Sequence, residues 1–237
     1  MRGDGGGDGG GDGGGDGAGD GGGEGGGAVT ATVRVVGELC LPAGLVLLLF
    51  YAYLLWGTGA ETEREQRVLQ SRLGEVFLRH EGHGSPGGAG IGDALALLRI
   101  PRLGAGYRFA VVEGIGPDEL RKGPGHYPGT ALPGQVGNFV LSGHRTTYAA
   151  PFNRIDELRP GDDVVVDAPD ARYTYRVRGK EVVDPGDLDV VDPVPGHPAR
   201  RPTRALMTMT TCDPKFSAAR RLIVRSELVR REERRDR

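Results

Sequence analysis

Three side chains able to do acyl-transfer chemistry stand at the ends of strand-like runs: a thiol, an imidazole and a guanidinium. The thiol is Cys212, which closes the run Thr208-Met209-Thr210-Thr211-Cys212. Leu206, Thr208, Thr210 and Cys212 fall on one side of a two-residue period, and Met207, Met209 and Thr211 on the other. That alternation predicts a strand presenting Cys212 at its rim. Asp213-Pro214 follows, and a proline without an N–H cannot continue a ladder. The guanidinium opens a second run, Arg221-Leu222-Ile223-Val224. The imidazole lies upstream, in Leu141-Ser142-Gly143-His144-Arg145-Thr146-Thr147. A thiolate attacks a carbonyl carbon, an imidazole moves protons to and from amines, and a fixed guanidinium stabilises the oxyanion that forms between them.

Each residue also has a plainer reading. A lone cysteine is commonly a buried structural residue, and most histidines are bonded in loops or cores. Arg220 competes with Arg221, but neighbours on a strand face opposite ways, so only one of them reaches the site. All five histidines (80, 83, 126, 144 and 197) precede Cys212, which excludes a cysteine-then-histidine order. His126 in Gly-Pro-Gly-His-Tyr-Pro and His197 in Pro-Gly-His-Pro sit in turn-like contexts and are the weaker candidates.

The Thr-x-Thr-Thr-Cys run, the Arg-Leu-Ile-Val run and the Gly-His-Arg-Thr-Thr run together resemble the three signatures of sortases, the cell-surface transpeptidases of Gram-positive bacteria. The extended form from Gly143 to Phe152, Gly-His-Arg-Thr-Thr-Tyr-x-x-Pro-Phe, is most similar to class E. The resemblance covers roughly Gly92 to Val229. It departs at Met209, where the family has Leu, a nearly volume-conserving change. It implies an eight-stranded all-β barrel with Cys212 as nucleophile, His144 as general acid/base and Arg221 as the oxyanion- and substrate-orienting residue. Thr211, Thr146 and Tyr148 are implied as substrate contacts. The implied reaction cleaves the Thr–Gly bond of a C-terminal sorting signal through a Cys212 thioester and passes the acyl group to a peptidoglycan amine. Class E implies Leu-Ala-x-Thr-Gly in preference to Leu-Pro-x-Thr-Gly. A class D enzyme and a pilus polymerase are neighbouring readings, the latter weakened because no Asp-Pro-aromatic lid precedes the barrel and no second apolar span follows it. A membrane-anchored cysteine endopeptidase and a non-catalytic surface β-domain that binds exported proteins remain as alternatives from other classes.

The remaining organisation is what must carry such a site. Residues 1–27 hold 18 glycines, six acids recurring every fourth residue and a single arginine. Nothing apolar is available to bury there, so 1–32 is expected to be a disordered leader. A calcium-binding Gly/Asp repeat would need a large apolar residue in each unit, which is missing. Outside the leader the chain is close to neutral, and no nucleic-acid partner is expected.

Leu39 to Trp56 runs 18 residues without a charge. As a helix it would measure about 27 Å, close to the ~30 Å hydrocarbon core. Tyr51, Tyr53 and Trp56 gather toward one end, as interfacial aromatics do. A single anchor over 33–57 is expected, with Pro42 near its start and Cys40 as a small apolar residue rather than a lipidated one. Arg34 precedes the span while Arg64, Arg67 and Arg72 follow it, so positive charge points the C-terminal domain inward. The resemblance implies the opposite, a single-pass membrane protein with its catalytic domain outside.

Residues 58–91 read as a stalk helix, Glu61 to His80, and a Gly-rich linker. The His80 and His83 pair lies in that linker without a third ligand nearby, so neither a metal nor a cofactor is expected. The catalytic domain is expected over 92–229 and a solvated charged tail over 230–237. Eight apolar runs predict strands: 96–100, 108–112, 138–142, 163–167, 173–177, 181–183, 206–211 and 222–225. Only Pro117–Lys122 reads as a helix among them. Residues 163–167 and 173–177 flank a turn and read as a hairpin. The proline-rich segment 184–204 is expected to wall the groove.

Overall fold

The computed structural model describes residues 24–53, 58–79 and 90–234. The chain divides into two units, one ending at Leu49 and one beginning at Phe50. Helix α1 runs Glu24–Ala52, with its last three residues assigned to the second unit, and its segment Thr32–Ala52 has a mean hydropathy of 2.1 with none of its residues buried. Leu39, Leu41, Leu45 and Leu47 to Phe50 all point outward. A helix apolar on every side and long enough to cross a bilayer is a candidate membrane span. It starts inside the stretch expected to be leader. Pro42 is therefore interior rather than near the first turn. It removes one helical hydrogen bond, which membrane-spanning helices tolerate. Residues 1–23 of the expected leader, and His80 and His83, lie outside the described residues.

The second unit is a closed barrel of eight strands: β1 Ala94–Arg99, β2 Arg108–Glu113, β3 Gly125–His126, β4 Gly137–Ser142, β5 Asp163–Asp167, β6 Ala171–Val183, β7 Ala205–Asp213 and β8 Arg220–Glu233. They close in the order β1-β2-β3-β4-β7-β8-β6-β5. Pairing is antiparallel except at β2–β3 and β4–β7. The interior is filled by alternate residues: Phe139 and Leu141 of β4, Val164 and Val166 of β5, Tyr173, Tyr175 and Val177 of β6, Met207 and Met209 of β7, and Leu222 and Val224 of β8.

The strand total matches the expectation, but its members differ. The runs 173–177 and 181–183 are one strand, because Gly179 sits in a β-bulge that carries β6 past the polar Arg178-Gly179-Lys180 step. β3 was not foreseen; two residues are too short to show a period. The tail expected from 230 is also corrected. Residues 230–233 continue β8, paired with Ala171 to Thr174 and linked by an Arg231–Asp170 ion pair. The single α-helix within the barrel domain, α3, spans Pro117–Lys122 as expected; short 3-10 turns lie at Pro101–Leu103, Ile155–Glu157 and Leu188–Val191.

Helix α2 (Thr58–Arg79) packs against the barrel rather than standing as a free stalk. Leu69 and Leu73 are buried on Ala110 and Val112 of β2. β3 pairs with β2 only at Val112 and Glu113, leaving the peptide groups of Ala110 open on that edge. Gln66 fills the gap. Its Oε1 accepts from Ala110 N at 2.7 Å, and its Nε2 donates to Ala110 O at 3.0 Å and to Lys122 O at 2.7 Å. Replacing Gln66 by Leu strands three backbone groups, two of them buried. The expected loss is about 2–4 kcal/mol, read as a lowered thermal midpoint of the full-length protein.

Candidate active site

Strand register brings the main chain of Cys212, His144 and Arg221 to one rim of the barrel. β4 and β7 run parallel with Ser142 level with Thr210, so two further residues carry the chain to His144 on one side and Cys212 on the other. β7 and β8 run antiparallel with Cys212 directly opposite Arg221. Directly opposed residues of an antiparallel pair point to the same face. Met207 and Met209 face the interior, so Thr208, Thr210 and Cys212 face out of the barrel, alongside Ile223 and Arg221. Arg220 is level with Asp213 and points the other way. Of the two arginines, Arg221 therefore shares the face of Cys212 and Arg220 does not.

This outer face is a floor rather than open surface. Val140, Thr208 and Ile223 are buried. The segment between β6 and β7 is tied to it: Asn138 Nδ2 donates to Val190 O and to Asp192 O, both at 3.0 Å, and Asn138 Oδ1 accepts from Thr208 Oγ1 at 2.8 Å. The proline-rich segment is thus anchored along the strands that lead to Cys212. Cys212 itself is half-buried.

His144 sits in the tight loop after β4. Gly143 N donates to Thr210 O at 3.2 Å, and Phe152 N donates to His144 O at 3.0 Å, closing the loop on itself. Phe152 is fully buried beneath Gly143, where an added Cβ would lie 2.7 Å from the ring. Glycine is required there by close approach. Tyr148, Ala149 and Ala150 all have positive φ, a left-handed turn that L-residues adopt at a cost of about 1–2 kcal/mol each. The turn brings the Tyr148 ring to 4.9 Å from the His144 ring. Burial lowers the pKa of His144 below the ordinary 6.5. The folded state therefore binds the His144 proton less well than the unfolded state. The expected result is a thermal midpoint that falls as pH drops below about 6.5 toward the lowered value, and a shallower fall in His144→Gln across the same window.

Not every expected residue joins the site. Thr211 is buried on the interior face, opposite to Cys212, and its hydroxyl donates to Gly143 O at 2.8 Å. It splints β7 to the His144 loop and is not placed to touch a peptide. Thr146 and Tyr148 are half-buried in the His144 loop. His126 is elsewhere: it is buried, with Nδ1 2.6 Å from Glu113 Oε2 and Nε2 2.9 Å from Thr130 Oγ1. His197 lies exposed in the β6–β7 segment. Among the described residues, no group of three or more His, Cys, Asp and Glu is arranged to hold a metal. The residue that sequence reasoning passed over is Arg145. Its side chain is 6% exposed, and it bonds the Cys212 carbonyl and the Asp213 carboxylate. A cation directly after His144 and an anion directly after Cys212 were the available signal.

A closed eight-stranded barrel with a rim thiol opposite an arginine and level with a histidine has the architecture of a cysteine acyl-transfer enzyme. The sortase-domain family profile matches residues 98–229, over half of the chain, and the protein belongs to the sortase family, whose members are cysteine transpeptidases. Its similarity is to class E. It is 35% identical over 210 residues to sortase SrtE1 of Streptomyces coelicolor, covering 85% of this chain and 58% of that protein. The structure of sortase E from Streptomyces avermitilis superposes with a TM-score of 0.55 at 39% identity, covering 61% of this chain and 93% of that one. Sortase E1 from Streptomyces coelicolor, solved with a tripeptide in its active site, gives a TM-score of 0.55 at 36% identity, covering 60% and 91%.

Proposed function

We propose that this protein is a membrane-anchored transpeptidase that joins exported proteins to the cell wall. The signal it cleaves is C-terminal, of the Leu-Ala-x-Thr-Gly or Leu-Pro-x-Thr-Gly type. The Cys212 thiolate adds to the threonine carbonyl carbon, and the tetrahedral oxyanion is met by Arg221. The C–N bond breaks, His144 gives its proton to the departing glycine nitrogen, and the C-terminal tail leaves as a free amine. An incoming peptidoglycan amine then attacks the thioester. His144 takes back a proton, the new amide forms, and the Cys212 thiolate departs. The observation that carries this reading is the register: Cys212 stands opposite Arg221, and His144 and Cys212 each follow the last β4–β7 pair by two residues. The tripeptide bound in sortase E1 supports a peptide substrate.

The same reading organises the chain. Helix α1 is the single anchor and the barrel lies outside the membrane, on the side where sortases work. The arginines flanking the span point the other way, and short-loop charge bias is overridden when a whole domain is translocated.

The test uses the full-length protein in detergent micelles with quenched Leu-Ala-x-Thr-Gly and Leu-Pro-x-Thr-Gly peptides, with and without triglycine, read by mass spectrometry. A triglycine-ligated product, formed faster from the alanine peptide, is expected. Cleavage without ligation would favour an endopeptidase, and no turnover of either peptide would reject the reading.

A further inference from the structure

We infer that Arg145, paired with Asp213, is a positioning residue that fixes where His144 stands relative to Cys212. The inference rests on the transpeptidase reading above. Arg145 directly follows His144, and Asp213 directly follows Cys212. Arg145 Nη1 donates to Cys212 O at 3.1 Å and to Asp213 Oδ1 at 2.5 Å, and Nη2 lies 3.4 Å from Asp156 Oδ1. One guanidinium therefore holds both the main chain of the nucleophile and the side chain beyond it. The other end of Arg145 is held as firmly. Its carbonyl accepts from Asn153 Nδ2 at 2.7 Å, and Asn153 Oδ1 accepts from Lys215 Nζ at 3.2 Å, in the turn after Cys212. The His144 loop and the β7–β8 turn are stitched together twice, through residues that carry none of the chemistry.

Stability alone does not call for this arrangement. A buried ion pair is often no more stabilising than a packed apolar pair. Here Arg145 Nε is also buried without a partner. Such an orphaned donor is unfavourable, whereas a planar fork of donors fixed in direction is what placement requires. β4 and β7 do not pair beyond Ser142 and Thr210, so the ladder stops before it reaches His144 and Cys212. Beyond the Gly143–Thr210 and Thr211–Gly143 bonds, Arg145 adds a cross-link to Cys212 itself.

The test is a double-mutant cycle in the full-length protein, with kcat, KM and thermal midpoint measured for Arg145→Met, Arg145→Lys, Asp213→Asn and the Arg145→Met/Asp213→Asn double variant. Misplacing reacting groups by a fraction of an ångström lowers kcat while leaving substrate affinity alone, so Arg145→Met is expected to lower kcat roughly 10–100-fold with KM within about threefold. Arg145→Lys keeps the charge but not the fork, and should recover only part of that loss. Residues acting as one unit are non-additive, so the double variant should be no slower than Arg145→Met. A folded Arg145→Met with kcat within about twofold of wild type, or single effects that multiply in the double, overturns the inference. Should Arg145→Met fail to fold, Asp213→Asn at its partly exposed position decides: an unchanged kcat overturns the inference and a reduced one supports it. The parent reading fails separately, if the wild type shows no turnover or if Cys212→Ala retains it.

Discussion

Cys212→Ala is expected to cut turnover of a sorting-signal peptide by at least about 10⁴-fold, because without the thiolate no covalent acyl-enzyme can form. The fold should survive. Cys212 stands at the half-exposed rim of β7, outside the apolar interior that Met207 and Met209 occupy. Trimming a sulfur there opens no sealed cavity, so the thermal midpoint should stay within about 2 °C of wild type. Cys40 supplies an internal control. It lies exposed on α1, and Cys40→Ala should leave turnover unchanged. A second readout is the thioester itself, a mass increment on the wild type that Cys212→Ala cannot acquire. Undiminished turnover in Cys212→Ala would place the nucleophile elsewhere and remove the transpeptidase reading with it.

How much of this was legible beforehand depends on whether the information was local. The alternation in Leu206 to Cys212 is local, and it set Met207 and Met209 on the side opposite Cys212; the barrel buries the methionine side. The same alternation had already set Thr211 with the two methionines. Its expected role as a substrate contact came from the family resemblance and conflicted with the residue's own period; the structure follows the period. Helix α2 was equally readable, expected over Glu61 to His80, with Leu69 and Leu73 one turn apart. An apolar stripe must be buried against something, yet nothing local identified β2 as its partner or Gln66 as the group that completes β2's open edge. β4 and β7 are parallel neighbours separated in sequence by a hairpin and a long proline-rich segment, and no periodicity encodes such a pairing. The juxtaposition of His144 and Cys212 was foreseen by resemblance alone, and the Arg145–Asp213 bond that accompanies it by neither route. Short elements failed for another reason: β3 has two residues and carries no repeat to detect.

The strand register also yields the second large effect, since it separates two adjacent arginines of identical chemistry. Arg221→Ala should lower kcat about 10²–10³-fold, the loss seen when one donor to a developing oxyanion is removed. Arg220→Ala should stay within about threefold, because Arg220 faces away from Cys212 and only the surface loses a charge. The guanidinium of Arg221 is already held in place. Its Nη1 donates to Ala218 O and to Arg220 O, both at 3.1 Å, which tethers the head to the β7–β8 turn. Both bonds use the same nitrogen, so Nε and Nη2 remain to meet an oxyanion without breaking the tether. That geometry distinguishes charge from shape. Arg221→Lys keeps a cation opposite Cys212 but cannot bond the turn and the oxyanion along fixed directions together, so it should recover no more than about tenfold of the loss. Saturating-peptide kinetics on the three variants check the point. Full activity in Arg221→Lys would make the residue a simple electrostatic partner, and a collapse in Arg220→Ala with Arg221→Ala intact would show that the strand presents the opposite face to the substrate.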